Sequence, residues 1–142
     1  MRSWLMLMFR IPTDPSALRV STWRKLKRLG AVVLHDAVWV LPATATTREQ
    51  LQWLTSEITE SGSEATLWRS EVEVGEDAPL VAQFRERADA GYTEILAGLR
   101  REDADLALLA RRYQQVKALD YFPSSLGERV REALLAARGE VS

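Results

Sequence analysis

Short apolar runs and helical stripes alternate along the first half of the chain. Three of the runs have the length of buried strands: Ser3–Ile11, Ala31–Leu34 and Val38–Leu41. Only His35, Asp36 and Ala37 separate the second run from the third, and so small a gap predicts an antiparallel hairpin. A fourth strand is predicted over Ala65–Val74, where apolar and polar residues partly alternate.

Two amphipathic helices are predicted between these strands. The first stripe consists of Leu18, Thr22, Leu26 and Leu29. Its spacing of three and four residues predicts a helix over about Ser16–Leu29 that ends at Gly30. The second stripe consists of Leu51, Leu54 and Ile58. It predicts a helix that starts at the capping box Thr46-x-x-Glu49 and runs to about Ser61.

The predicted order of elements over residues 1–75 is β-α-β-β-α-β. Two helices on one face of a four-stranded antiparallel sheet form a ferredoxin-like sandwich, so we expect an α+β fold of this type. The second face of such a sheet is apolar, and an apolar face is usually covered or paired with a second copy. We therefore expect a homodimer.

Residues 76–142 are predicted to form an all-helical C-terminal extension of about three helices. We expect this extension to pack on the sandwich as part of one folding unit. The three apolar stripes are Leu80, Phe84, Ala88, Gly91, Ile95 and Leu99, then Leu106, Leu109, Tyr113 and Val116, then Val130, Leu134 and Ala137. The segment Asp120–Ser124 breaks the helical pattern, and a capping box Ser125-x-x-Glu128 is predicted to start the last helix.

Composition places the chain among ordinary globular proteins. It has 142 residues, of which 46% are hydrophobic and 27% charged, enough for one domain with a proper core. It contains no cysteine, which excludes disulfides and thiol chemistry and fits a cytoplasmic location. No run approaches the roughly 20 apolar residues of a membrane span, so no membrane partner is expected.

The net charge of −1 conceals a strongly polarised chain. Residues 1–35 carry seven basic side chains and one acidic, whereas residues 36–80 carry two basic and nine acidic. Five cations cluster on the first predicted helix: Arg19, Arg24, Lys25, Lys27 and Arg28. Clustered cations are what phosphate contacts require, which makes these residues DNA-binding candidates. Composition alone favours the alternative, a solvated helix face whose cations interact with the helix dipole.

Trp23 lies inside this cluster. An exposed tryptophan there would stack on nucleic-acid bases, but a packed side chain is the commoner arrangement and is the one we expect. All five tryptophans fall in the first half of the chain. We expect most of them to fill the core or an interface.

Two other pairs of residues are candidates for a functional site. Arg111 and Arg112 are anion-binding candidates, because guanidinium groups grip tetrahedral oxyanions; ion pairs with Asp105 and neighbouring acids are the alternative. His35 and Asp36 are expected to point to opposite faces, and turn formation accounts for Asp36. The sequence has neither a Gly-rich phosphate loop nor metal-ligand spacing, so no cofactor, metal or enzymatic activity is expected.

Seven segments together resemble the N-terminal region of the ChrB family. They are WRKLKRLGA (23–31), LHDAVWVLP (34–42), TREQ (47–50), QWL (52–54), DADL (103–106), RRYQQ (111–115) and DYF (120–122). The combination is specific, although each segment alone is not. The chain also looks like the middle domain of the phenylacetate-operon repressor and, more remotely, the small CRISPR adaptation nuclease. Both are ferredoxin-like, and the second dimerises.

The ChrB resemblance implies a cytoplasmic transcriptional regulator that represses a chromate-resistance operon and is released by chromate. The N-terminal region is the part implied to hold operator DNA, which favours DNA binding by the basic helix. Chromate, a sulfate-like dianion, is implied as the effector. Full-length members carry a second, C-terminal domain, so we expect either a stand-alone relative that lacks it or one half of a split pair. The sequence contains no evident helix-turn-helix.

Two other functions stay open. The first is an accessory module whose helical third docks a partner and which does not bind DNA alone. The second is a metal-dependent nuclease, by analogy with the CRISPR subunit. That subunit uses an aspartate at the end of its first strand, whereas the matching segment Phe9–Pro12 holds no acid and the next one is Asp14.

Overall fold

A computed structural model describes residues 2–139 of the chain. The strands are β1 (Trp4–Arg10), β2 (Val32–His35), β3 (Val38–Pro42) and β4 (Glu64–Ser70). The helices are α1 (Ala17–Arg28), α2 (Ala45–Glu60), α3 (Ala78–Leu99), α4 (Leu106–Ala118) and α5 (Ser125–Ala137). The chain divides into two compact units, Met1–Glu76 and Asp77–Ser142.

The four strands belong to the first unit and form one antiparallel sheet in the order β2-β3-β1-β4. The central strand β1 is paired on both sides, so that Leu7 lies opposite Trp39 of β3 and Leu67 of β4. Together with α1 and α2, the strands follow the order β-α-β-β-α-β. The hydrophobic pattern predicted this order, and the chain is a mixed α and β protein.

One face of the sheet carries the core of the first unit. Leu5 and Leu7 are buried together with their cross-strand partners Leu41 and Trp39. Helix α2 packs on β1 and β4, and α1 packs beside α2. The buried residues of these helices are Thr22 and Leu26 in α1 and Thr47, Leu51, Leu54 and Ile58 in α2. They include the whole predicted stripe of α2 and the middle of the predicted stripe of α1, whose outer members Leu18 and Leu29 are half-buried.

The opposite face of the sheet is apolar and partly exposed. Met6 and Met8 point to this face because side chains alternate along a strand. Met6 lies opposite Trp68 in β4, and both Met8 and Trp68 are largely exposed. Trp4, on the same face, is buried. The sheet therefore presents an exposed apolar pair of the kind expected from the sequence.

Helix α1 ends where the sequence predicted. Leu29 is the residue that follows the helix. Its N–H donates to the carbonyl oxygen of Lys25 at 3.0 Å, and the N–H of Gly30 donates to that of Lys27 at 3.0 Å. Gly30 then adopts a φ of 79°, a left-handed conformation that glycine reaches without strain. At the other end Ser16 makes no side-chain capping bond. Glycine therefore defines the C-terminal end of the helix, while the N-terminal end has no side-chain cap.

Helix α2 begins with a different pair of residues from the predicted Thr46 and Glu49. The N–H of Thr47 donates to Oγ1 of Thr44 at 3.0 Å, and the N–H of Thr44 donates to Oγ1 of Thr47 at 2.9 Å. The Thr47 hydroxyl also donates to the carbonyl of Pro42 at 2.6 Å. A second threonine thus replaces the glutamate of the usual capping box and ties the end of β3 to α2.

Strand β4 is shorter than the predicted Ala65–Val74. The first residue of β1, Trp4, pairs with Ser70, so the strand beyond Ser70 has no partner in β1. Val72 is half-buried and Val74 is exposed. The alternation after Ser70 therefore belongs to a loop, and the strand prediction was wrong there.

The second unit consists of three helices around their own core. Helix α3 packs against α4 and α5, which also contact each other. The buried core comprises Ala88, Tyr92, Ile95, Tyr113, Val130 and Leu134. Ser124, rather than the predicted Ser125, caps α5 by accepting a bond from the N–H of Leu126 at 3.1 Å. No helix within residues 2–139 has both the length and the apolar content to cross a membrane.

Two glycines of α3 set its contact with α4. A Cβ atom at Gly91 would lie 2.7 Å from Cγ2 of Val116, and one at Gly98 would lie 2.8 Å from Cδ2 of Leu109. Both distances are shorter than carbon atoms tolerate. Glycine at these two positions, seven residues apart, therefore lets the helices approach closely.

Candidate functional site

Three of the five cations predicted on α1 form one exposed face. Thr22 and Leu26 mark the buried side of the helix. At about 100° per residue, Arg24 lies opposite that side, with Lys27 and Arg28 to either side of it. All three are exposed, and none of them forms an ion pair with another described residue. We call Arg24, Lys27 and Arg28 the cationic face.

Lys25 lies on the flank of α1 that turns toward α2. Its Nζ donates to Oε1 of Glu57 in α2. Both side chains are partly exposed, so this pair contributes at most about 1 kcal/mol to stability. Its main effect is on charge, because Glu57 neutralises one of the five predicted DNA-binding candidates.

Arg19 lies on the other flank, one helical turn before Trp23. Both residues line a cleft of about 420 Å³ whose other wall includes Asp36 and Trp39. The five cations therefore separate into the cationic face, the paired Lys25 and the cleft residue Arg19. A helical projection of the sequence separates the directions of these side chains, whereas the ion pair of Lys25 and the cleft of Arg19 depend on other elements of the fold.

Two tryptophans stand exposed beside these cations. The side chain of Trp23 is 53% exposed, contrary to the expectation that it packs, and the Lys27 ammonium lies 5.7 Å from its ring centroid. Trp53 of α2 is 74% exposed and lines a groove of about 270 Å³ with Lys25, Arg28 and others. Trp53 falls outside the stripe of α2, which is the signal that could have identified it as a surface residue.

His35 and Asp36 contact each other, although the alternation of side chains along a strand predicted opposite faces for them. His35 is the last residue of β2, and Nε2 lies 3.3 Å from Oδ2 of Asp36. Asp36 adopts a φ of 44° in the turn before β3. This left-handed backbone ends the strand alternation, so the two side chains are no longer directed apart. Both are mostly exposed.

The second predicted cation pair lies on α4. Arg112 is paired with Glu94 of α3 at 3.5 Å, whereas Arg111 is exposed and makes no ion pair with a described residue. Asp105 is not their partner. Its Oδ1 accepts a bond from the N–H of Leu108 at 3.1 Å and caps α4.

A polar network around the buried Tyr92 in the second unit was not predicted; its other members, Asp89, Asp120 and Ser124, are half-buried. The hydroxyl of Tyr92 donates to Oδ2 of Asp120 at 2.9 Å, and the N–H of Ser124 donates to the same oxygen at 3.2 Å. The Ser124 hydroxyl donates to Oδ1 of Asp89. Burial and the contact with Asp120 raise the pKa of Tyr92. The only sequence signal was the position of Asp120 in a predicted helix break.

Among the side chains of residues 2–139, no group of three or more His, Asp or Glu residues lies close enough to hold a metal ion. Asp14, the acid considered for a nuclease, is exposed in the loop between β1 and α1. The side chains gathered around α1 are cationic and aromatic. They fit an anionic ligand with flat, stacking groups.

Most of the chain is similar to a known protein family. The model of the family described as Protein ChrB, N-terminal, matches residues 19–117, a segment that contains most of α1, the hairpin, α2, β4, α3 and nearly all of α4. The chain belongs to this family, which confirms the resemblance. It is 28% identical over 141 residues to Protein ChrB of Cupriavidus metallidurans. The alignment covers 89% of this chain and 43% of that protein, so the chain spans less than half the length of this relative.

Proposed function

We propose that this chain is the DNA-holding part of a chromate-responsive transcriptional regulator, and that the cationic face of α1 contacts DNA phosphates. The observation that carries the proposal is the unpaired state of this face among the described residues. Elsewhere, Arg101, Arg112 and Arg131 each contact a carboxylate. Clustered, unpaired cations on a rigid helix favour binding to a polyanion through counterion release.

The role in chromate resistance is supported by membership of the ChrB family. The relative that it resembles is called Protein ChrB and is more than twice as long. We propose that this chain regulates a chromate-resistance operon in the cytoplasm and that chromate is its effector. Arg111 and Arg112 are the proposed anion site, and Arg112 has to leave Glu94 to take part.

We further propose that the first unit is a ferredoxin-like sandwich that works as a homodimer. The strand order β2-β3-β1-β4 and the two helices between the strands support the fold. The exposed Met8 and Trp68 support the dimer, because an apolar sheet face is stabilised by a second copy. Light scattering on the purified chain is expected to give twice the monomer mass.

Fluorescence anisotropy with duplex DNA from upstream of the chain's own operon tests the proposal. Binding is expected to weaken as salt increases from about 50 to 200 mM, and chromate is expected to release the DNA. The double variant Arg24→Glu/Lys27→Glu is expected to lose most of its affinity and about two units of salt slope. In Arg111→Ala/Arg112→Ala, the effect of chromate is expected to disappear while DNA binding persists.

The matched control is Arg48→Glu/Arg129→Glu, which makes the same change in net charge at exposed positions outside α1. This control is expected to bind DNA nearly as well as the wild-type protein. Equal losses in the two double variants would contradict the assignment to α1. DNA binding that chromate leaves unchanged would place sensing outside this chain.

An accessory module is the alternative function. The observation that favours it is Trp53, which is 74% exposed and shares a groove with the paired Lys25 and with Arg28, the one residue of the cationic face that lines it. This function predicts a stable complex with a partner protein and no DNA binding at low salt. A nuclease function instead predicts magnesium-dependent cleavage of short DNA or RNA that Asp14→Asn abolishes.

A further inference from the structure

The cleft beside α1 has the size of a small-molecule site. It has a volume of about 420 Å³, within the usual range for ligand pockets. Its lining includes Phe9 and Ile11 at the end of β1, Arg19 and Trp23 of α1, Asp36 of the turn between β2 and β3, and Trp39 of β3. All of these elements belong to the first unit. The cleft is distinct from the cationic face, because Arg24, Lys27 and Arg28 do not line it.

The apolar part of this cleft is aromatic. Trp39 and Ile11 are buried, Phe9 is half-buried and Trp23 is largely exposed. Such a set offers a covered apolar floor and one accessible indole ring. Aromatic side chains interact most favourably with flat rings, through stacking or edge contacts. The cleft therefore fits a ligand with a planar aromatic body.

The charged part of the cleft selects for an anionic group. Arg19 forms no ion pair with a described residue. Arg10 follows Phe9 in β1, so its side chain is directed to the opposite face of the sheet, where it lies 3.9 Å from Glu64. The guanidinium group of Arg19 is a fork of N–H donors that matches the oxygens of a phosphate. A neutral aromatic ligand would leave it unused.

Asp36 supplies the opposite charge to the same cleft. Its Oδ2 lies 3.3 Å from Nε2 of His35. The remaining acceptor positions of the carboxylate can receive hydrogen bonds from ring N–H or amino groups. The residue holds a φ of 44°, which aspartate tolerates better than most side chains. A ligand that satisfies the whole cleft thus has a phosphate, a planar ring and N–H donors on that ring.

We propose that this cleft binds a nucleoside monophosphate. The phosphate contacts Arg19, the base stacks on the exposed ring of Trp23, and an N–H group of the base donates to Asp36. The nucleotide comes from one of two sources, either a free mononucleotide or an unpaired nucleotide at the end of a nucleic acid. The inference goes beyond the proposed function and does not depend on duplex binding by the cationic face.

Two-dimensional ¹H–¹⁵N NMR of the tryptophan indole groups tests the proposal on the intact chain. Each of the five tryptophans gives one indole signal, which single Trp→Phe substitutions assign. Adenosine or guanosine monophosphate is expected to shift the signals of Trp23 and Trp39 saturably, while Trp53 and Trp68 stay unchanged. Adenosine and inorganic phosphate are each expected to bind at least about tenfold more weakly, because each lacks one of the two recognised groups.

Variants separate the contacts. Arg19→Gln is expected to weaken mononucleotide binding by about tenfold or more through the lost phosphate contact, whereas Arg48→Gln, an exposed position of α2 outside the cleft, is expected to leave it unchanged. Asp36→Asn removes the charge at a position that asparagine also tolerates, and is expected to weaken binding as well. Asp36→Gly retains the turn and serves as a second variant. Both Asp36 variants must keep the wild-type unfolding midpoint.

The source of the nucleotide is distinguished by two DNA probes. One duplex has an unpaired terminal nucleotide and the other has blunt ends. If only the first competes with adenosine monophosphate, the cleft binds nucleic-acid ends. Failure of both duplexes to compete assigns it to free mononucleotides. The absence of saturable shifts up to about 10 mM mononucleotide, or equal shifts with phosphate alone, would overturn the proposal.

Discussion

The hydroxyl of Tyr92 donates a hydrogen bond of 2.9 Å to Oδ2 of Asp120 inside the second unit. Tyr92 is almost fully buried in the middle of α3, while Asp120 lies between α4 and α5. The other carboxylate oxygen, Oδ1, is buried and accepts no hydrogen bond from a described residue. This single contact therefore provides an important part of the stabilisation of a buried carboxylate.

Removal of that hydroxyl is expected to destabilise the protein. Tyr92→Phe leaves Oδ2 of Asp120 with only the N–H of Ser124, which is expected to cost about 1–3 kcal/mol in the free energy of unfolding. The control is Tyr113→Phe in the same core, because the Tyr113 hydroxyl has no hydrogen bond to a described residue. Urea unfolding at pH 7 measures both. Equal losses in the two variants would contradict a specific role for the Tyr92 hydroxyl.

Stability is expected to fall in alkaline solution because of the same tyrosine. Burial, and then the hydrogen bond to Asp120, raise the pKa of Tyr92 above the ordinary 10.0. Above pH 10 the unfolded chain releases this proton while the folded chain keeps it, so the free energy of unfolding decreases as pH rises. The decrease contributed by Tyr92 is up to about 1.4 kcal/mol per pH unit. Urea unfolding from pH 9 to 11 is expected to show a steeper decrease for the wild-type protein than for Tyr92→Phe.

The threonine cap of α2 gives a prediction with a close control. Thr47 is buried, accepts a bond from the N–H of Thr44 and donates to the carbonyl of Pro42. Thr47→Val keeps the shape and removes both bonds, so a loss of about 1–3 kcal/mol is expected. Thr46→Val, at the neighbouring exposed position, is expected to change stability by less than about 0.5 kcal/mol. If the two variants have the same unfolding midpoint in urea, the reciprocal cap is not important.

The close contact between α3 and α4 predicts that Gly91→Ala destabilises the wild-type protein but stabilises a variant with a smaller residue at position 116. Gly91→Ala places a methyl group 2.7 Å from the stiff side chain of Val116, and the overpacking is expected to outweigh the gain in helix propensity. In a Val116→Ala background the space is free. There the same substitution is expected to stabilise by about 0.5–1 kcal/mol. Urea unfolding of the wild-type protein, the two single variants and the double variant measures both effects. Destabilisation by Gly91→Ala in both backgrounds would rule out the contact with Val116 as its cause.

Glu57 limits the charge that α1 offers to DNA. Glu57→Gln frees Lys25, so DNA affinity is expected to rise and the salt slope to steepen by about one unit. Glu60→Gln makes the same change in net charge on the same helix without releasing a described ion pair. Anisotropy titrations of the two variants at several salt concentrations compare them. An equal gain from Glu60→Gln would show that only net charge matters.

The sequence was sufficient for the element order because most helices and strands here bury one clear stripe. Leu51, Leu54 and Ile58 indicated α2, and Gly30 indicated the end of α1. The end of β4 could not be predicted, because it depends on where Trp4, the first residue of its partner strand, lies in space. Strand length is set by pairing as well as by local alternation.

The sequence predicted which residues belong to the candidate site but not how the fold arranges them. The pattern identified all five cations of α1, but Lys25 is neutralised by Glu57, 32 residues further along the chain. The cleft likewise combines Arg19 with Asp36, which no local spacing connects. The exposure of Trp23 follows from its position on the flank of α1, away from the buried Thr22 and Leu26. Long-range contacts of this kind arise only from the fold.

The sheet of the first unit has two outer strands, β2 and β4, and each has a row of backbone N–H and C=O groups without a strand partner in this sheet. Such edges template further strands, and an exposed aromatic residue increases that tendency. In β4 the exposed Trp68 is accompanied by the charged Glu64 and Arg69, which oppose the stacking of identical chains. Solubility at high concentration, and resistance to fibril formation, thus depend on these two charges as well as on the folding stability of the domain.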